Sequence, residues 1–167
     1  MAEKETIFSS KIKYDGILSF TDFYKFCYNW LTEETGLIVA EEKYAEKLSG
    51  ESKNIDVVWA GKRKLTDYFQ FEAKITFKVL ALTQIEINKD GKKIKTNKGN
   101  VEVGIKGVLV RDWQGKFEKD AFRKFLRSIY EKWIIQSRVE QFEGKIVGDC
   151  DEFLSQAKAW LDLEGKR

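Results

Sequence analysis

The chain has no histidine and no proline, one methionine and two cysteines in 167 residues. Without histidine the commonest general base and the commonest metal ligand are both missing. Ser-His-Asp and Cys-His relays are therefore excluded, as is any histidine-bearing metal site. Cys27 and Cys150 lie far apart, each in an amphipathic helical context, and form neither a zinc motif nor a Cys-x-x-Cys pair. They read as buried, reduced thiols. The glycines spell no G-x-G-x-x-G, and no G-K-[ST] follows Gly99, Gly104 or Gly107. The absence of proline, with lysine far above arginine, reads first as the mark of a genome poor in G and C and second as adaptation to heat. Long apolar runs are missing too. Leu37-Ile38-Val39-Ala40 and Val79-Leu80-Ala81-Leu82 are among the longest, against the roughly eighteen residues that a membrane span needs. The start, Met1-Ala2-Glu3-Lys4-Glu5, is charged and no apolar h-region follows it, which predicts no secretory signal and a cytoplasmic protein. Thirty basic residues face 27 acidic ones, and a net charge of +3 does not by itself imply a polyanionic partner.

What is present suffices for one core: 43% hydrophobic and 14% aromatic residues in a chain of single-domain length, 1–167. Residues 7–18 alternate around Phe8, Ser10, Ile12 and Tyr14 and predict a first strand. Ser19 then caps a helix over 20–34 whose stripe is Phe20, Phe23, Cys27, Trp30 and Leu31, with Gly36 closing it. Residues 37–113 predict consecutive strands. The clearest segment alternates strictly, with Phe69, Phe71, Ala73, Ile75, Phe77 and Val79 on one face and Gln70, Glu72, Lys74, Thr76 and Lys78 on the other. At Leu80-Ala81-Leu82 both faces become apolar, which means a cover on the second face or a bulge. Asp90-Gly91 predicts a two-residue hairpin that pairs Lys89 with Lys92 and Ile87 with Ile94. That register conflicts with the phase of Val101, Val103, Ile105 and Leu109, so a slip is expected at Gly99. Gly104 and Gly107 predict strong bending or a helix passing close by.

Beyond Phe117 the pattern is helical. Phe122, Phe125, Leu126, Ile129, Tyr130 and Trp133 make one face, and Val139, Phe142, Ile146, Cys150, Phe153, Ala157 and Trp160 continue it. One long, bent helix over 117–163 is expected, with Gly144 and Gly148 as the points where it would break. The fold class is therefore α+β: an N-terminal strand and helix, a curved antiparallel sheet with a long hairpin, and a long C-terminal helix on the sheet.

Three surfaces are candidates. Trp59, Phe69, Phe71, Phe77, Ile105, Phe122, Phe125 and Trp133 are either core or the lining of an apolar cavity between sheet and helix. Lys89, Lys92, Lys93, Lys95 and Lys98 at the hairpin are either a solvated guard of the sheet edge or a basic finger for the phosphates of RNA or a ribonucleoprotein. Phe142, Ile146, Phe153 and Trp160 form a stripe that one small sheet leaves bare, which predicts a homodimer through the C-terminal helix. No residue is singled out for catalysis, and no cofactor or metal is implied.

The element order resembles the helix-grip domains of the START and Bet v1 type, which implies an apolar ligand held between sheet and helix. Asp67-Tyr68-Phe69-Gln70-Phe71, Lys95-Thr96-Asn97-Lys98-Gly99 and Phe125-Leu126-Arg127-Ser128-Ile129-Tyr130 resemble segments of a group of small uncharacterised archaeal proteins, which carries no activity over. The expected function is a non-enzymatic module holding an apolar ligand or a protein partner, with nucleic-acid binding through the hairpin as the alternative.

Overall fold

The computed structural model describes residues 3–115, 121–130, 132 and 136–165. In chain order the elements are β1 (Glu3–Leu18), α1 (Phe20–Glu34), β2 (Ile38–Ser49), β3 (Ser52–Lys64), β4 (Phe69–Lys89), β5 (Lys92–Arg111), α2 (Ala121–Ile129) and α3 (Gln136–Gly165). The strands form one antiparallel sheet in the order β1-β5-β4-β3-β2. β1 and β2 are thus opposite edges, and α1, which joins them, must cross one face. Ser19 caps α1 as expected, its side chain accepting from the Asp22 N–H at 3.5 Å. Gly36 follows the helix at φ 73°.

The strict alternation in β4 sets the two faces. Odd residues of β3, β4 and β5 point inward with the even residues of β1, and α1 and α3 cover that face. The other face is wet. Asp90 and Gly91 both have positive φ, and Lys89 pairs with Lys92 and Ile87 with Ile94. The expected slip occurs at the level of Gly99, but the extra residue belongs to β4: Ala81 and Leu82 together face Gly99, between the pairs Leu80–Asn100 and Thr83–Lys98. Ala81 takes φ 54° and Leu82 turns into the core. A Cβ on Gly99 would lie 3.0 Å from the Leu82 Cα, so only glycine fits beneath the bulge.

The expected break points in the C-terminal helix are not used. α3 runs without interruption through Gly144 and Gly148. Two interior glycines cost about 2 kcal/mol of helix propensity, whereas each fully buried large apolar side chain returns about 1.5–3 kcal/mol. Ile146, Phe153, Leu154 and Leu161 are all buried, so packing decides the matter. Of the expected helix over 117–163, α2 and α3 are described, while 117–120, 131 and 133–135 lie outside the described residues.

Candidate functional site

The interior positions come first. Trp59, Phe69, Phe71, Phe77 and Ile105 are all buried. Trp59 meets Phe77 with ring centroids 4.6 Å apart, and Phe69 meets Phe142 at 5.4 Å. Trp59 Nε1 donates to the Tyr24 hydroxyl at 3.0 Å, which in turn donates to the Glu41 carboxylate. Burial, reinforced by that Glu41 bond, pushes the Tyr24 hydroxyl up to about 12. These side chains fill one another's space, so at these positions the layer between sheet and helices is core. Tyr24 and Glu41 were not foreseen. A tyrosine on a helix and a glutamate on an edge strand meet only through tertiary structure.

The helical candidates exchange roles. Phe142, Ile146, Phe153 and Trp160, expected to be bare, pack on the chain's own sheet and on α1. Phe122 and Phe125, expected to cover the sheet, are 68% and 60% exposed, and Leu126 and Ile129 beside them are exposed as well. Trp133 lies outside the described residues. The back of α2 is what holds it. Arg127 is buried, donates from Nε to the Tyr68 hydroxyl at 3.0 Å, and pairs with the Glu3 carboxylate at 2.8 Å.

The hairpin beyond Gln84 and Asn97 runs past the last paired residues of both flanking strands, Leu18 of β1 and Lys53 of β3, as a two-stranded ribbon. Lys92, Lys93 and Lys95 are exposed on it and Lys98 at its base, and Lys89 is half-buried. The wet face of the sheet adds Lys11, Lys13, Lys74, Lys78 and Lys106. The helical layer has the opposite sign: α3 carries seven acidic and three basic residues, and α1 three and one. The modest net charge thus conceals a segregation that composition could not reveal.

Both cysteines are free and buried. Burial holds the Cys27 thiol well above its ordinary range, and burial with the Asp149 charge pushes Cys150 up to about 12. A thiol that keeps its proton more tightly when folded stabilises the fold below the unfolded value of 9.0. That contribution is lost as pH rises from 9.0 towards about 12. The thermal midpoint should therefore fall across this window, and less steeply in Cys150→Ala. Ellman's reagent should find no fast-reacting thiol in the native chain and two in denaturant.

No helix among the described residues is long and apolar enough to cross a membrane. No family model matches the chain, and no curated protein matches it. Among solved structures it is similar to an uncharacterised protein from Rhizobium leguminosarum, at 8% identity over 93% of this chain and 99% of that one, with a TM-score of 0.19.

Proposed function

We propose that the chain is a non-enzymatic interaction module that presents α2 to a protein partner bearing an apolar groove. One observation carries the reading. Phe122, Phe125, Leu126 and Ile129 stand at i, i+3, i+4 and i+7 on one stripe, and all four are exposed. That spacing is how a helix inserts anchors into a groove. The four side chains offer on the order of 400 Å², about half of what each partner gives to a standard interface. Two copies meeting flat on this stripe alone would bury too little, whereas a groove also covers the flanks of the helix. The resemblance of the sequence to helix-grip domains implies a ligand held inside; in this proposal the chain carries its partner on α2 instead. A reducing, cytoplasmic setting accords with the two free thiols.

Phe122→Asp and Phe125→Asp should each melt within about 0.5 kcal/mol of the parent, as substitutions on an exposed surface do. A benzoylphenylalanine at position 125 should form a covalent adduct with a host protein, and Ile129→Asp in the same chain should abolish it. An adduct unaffected by Ile129→Asp, or a loss of several kcal/mol in the aspartate variants, would overturn the reading.

A further inference from the structure

On the wet face of the sheet the register sets Lys106 of β5 directly opposite Lys74 of β4. Like charges placed so are destabilising, and among the described residues neither lysine takes part in an ion pair. A sheet that only needed a solvated face could have alternated signs, as it does nearby where Lys11 meets Glu102 at 3.2 Å and Lys4 meets Glu72 at 3.2 Å. The lysine pair opens onto a shallow trough of about 470 Å³, lined among others by Ser9, Lys11, Thr76 and Gly104. A Cβ at Gly104 would come within 3.0 Å of the Thr76 hydroxyl, so the glycine keeps the floor low and the hydroxyl open above it. Three ammonium groups and two hydroxyls around one hollow make a set of donors for a tetrahedral oxyanion.

The trough does not stand alone. One step towards the ribbon, Lys13 and Lys78 flank Glu102 in the same cross-sheet row. Lys98 then stands at the base of the ribbon and the pair Lys89 and Lys92 at its tip on the same face, with Lys93 and Lys95 on the ribbon's other face. From Lys106 to Lys92 along β5 is about 48 Å at the rise of an antiparallel strand. A single phosphate would occupy one step of that track, whereas a polymer of phosphates occupies all of it. The acidic α1 and α3 on the opposite side repel such a polymer and so orient it.

We infer that the wet face of the sheet and the ribbon together form a track for the phosphodiester backbone of a nucleic acid, with Lys74 and Lys106 clamping one phosphate in the trough. This goes beyond the α2 reading and does not depend on it. β3, β4 and β5 place no aromatic side chain on the wet face between Asp56 and Val108, so bases have nothing to stack on. Binding is therefore indifferent to sequence and steeply dependent on salt.

Fluorescence anisotropy with a labelled single-stranded RNA of about 20 nucleotides, at about 50 mM salt, tests it. The parent should bind, and its log-affinity should fall linearly with log salt. The double variant Lys74→Gln/Lys106→Gln should bind about tenfold more weakly, with a slope shallower by about 1.4 for the two lost contacts. It should also melt no lower than the parent, because a repulsion has been removed. Lys25→Gln on α1 should change nothing. Inorganic phosphate should compete no better than its ionic strength predicts. Absence of salt-sensitive RNA binding, or an unchanged slope in the double variant, would refute the track. Displacement of RNA by micromolar phosphate would reduce it to a site for free phosphate and overturn the polymer reading.

Discussion

Phe153→Asp should leave no cooperatively folded protein. Phe153 sits midway along α3, is 1% exposed, and its ring lies 5.9 Å from that of Trp30 on α1. Truncating a buried phenylalanine costs about 3–5 kcal/mol. Aspartate then adds either a desolvated charge or the free energy of protonating it, a further few kcal/mol. The total reaches the whole stability of an ordinary domain, about 5–15 kcal/mol. Circular dichroism should show no sharp melting transition, while Leu163→Asp, at a position 63% exposed on the same helix, melts with the parent. A Phe153→Asp chain that keeps the parental melting point and loses only a partner in light scattering would instead restore the C-terminal stripe as a contact between two copies.

That contrast shows where the sequence is informative and where it is not. Alternation over Phe69–Val79 could be read directly, because a sheet with one wet face leaves its period in the chain. The cap at Ser19 and the turn at Asp90-Gly91 were legible for a similar reason: local backbone geometry admits few residue types there. The phase slip was legible as a need, since Ile87–Ile94 pairing and the inward Val101 conflict, and its place in part, since the doubly apolar Leu80-Ala81-Leu82 allowed either a cover or a bulge. Gly99 offered the obvious turn chemistry, yet the extra residue went to Ala81, with the glycine as the thin partner beneath it. Helical periodicity shows that a face is apolar and says nothing of what covers it. Phe122–Ile129 and Val139–Trp160 are equally good candidates for the sheet by period alone, yet Phe122, Phe125, Leu126 and Ile129 are exposed while Phe142, Ile146, Phe153 and Trp160 pack on it and on α1. The same limit applies to Trp59 and Phe77, whose stripe suits core and cavity alike. Lys74 and Lys106 lie on separate strands, and their opposition emerges only once the bulge has fixed the register.

The choice of which half of the stripe meets the sheet turns on Gly107, and its substitution should have the second large effect. Gly107 pairs with Ala73 of β4 on one side and Phe8 of β1 on the other, so β5 and β4 present a shallow saddle to the helix above. A Cβ at Gly107 would lie 2.7 Å from Ile146 Cγ2 and 2.8 Å from Cys150 Sγ, both on α3. Neither atom can swing away, because both belong to short, fully buried side chains. Gly107→Ala should therefore cost about 1–3 kcal/mol, the usual range for overpacking. Gly107→Leu should lift α3 from the sheet and cost more, seen as a lost or strongly lowered melting transition with the hydrogen-exchange protection of α3 collapsing first. Gly104→Ala is the control, since its Cβ would lie 3.0 Å from the Thr76 hydroxyl and at ordinary contact distance, 3.6 Å, from the Lys11 Cβ and the Ser10 carbonyl oxygen, and it should cost much less. Ile146→Ala alone opens a cavity, yet it also removes the Cγ2 that an alanine at 107 would strike. Gly107→Ala/Ile146→Ala should therefore be more stable than the two single losses added together, by about 0.5–3 kcal/mol of coupling. Simple additivity would mean that α3 does not rest on Gly107, and the register of the helix on the sheet would have to be drawn differently.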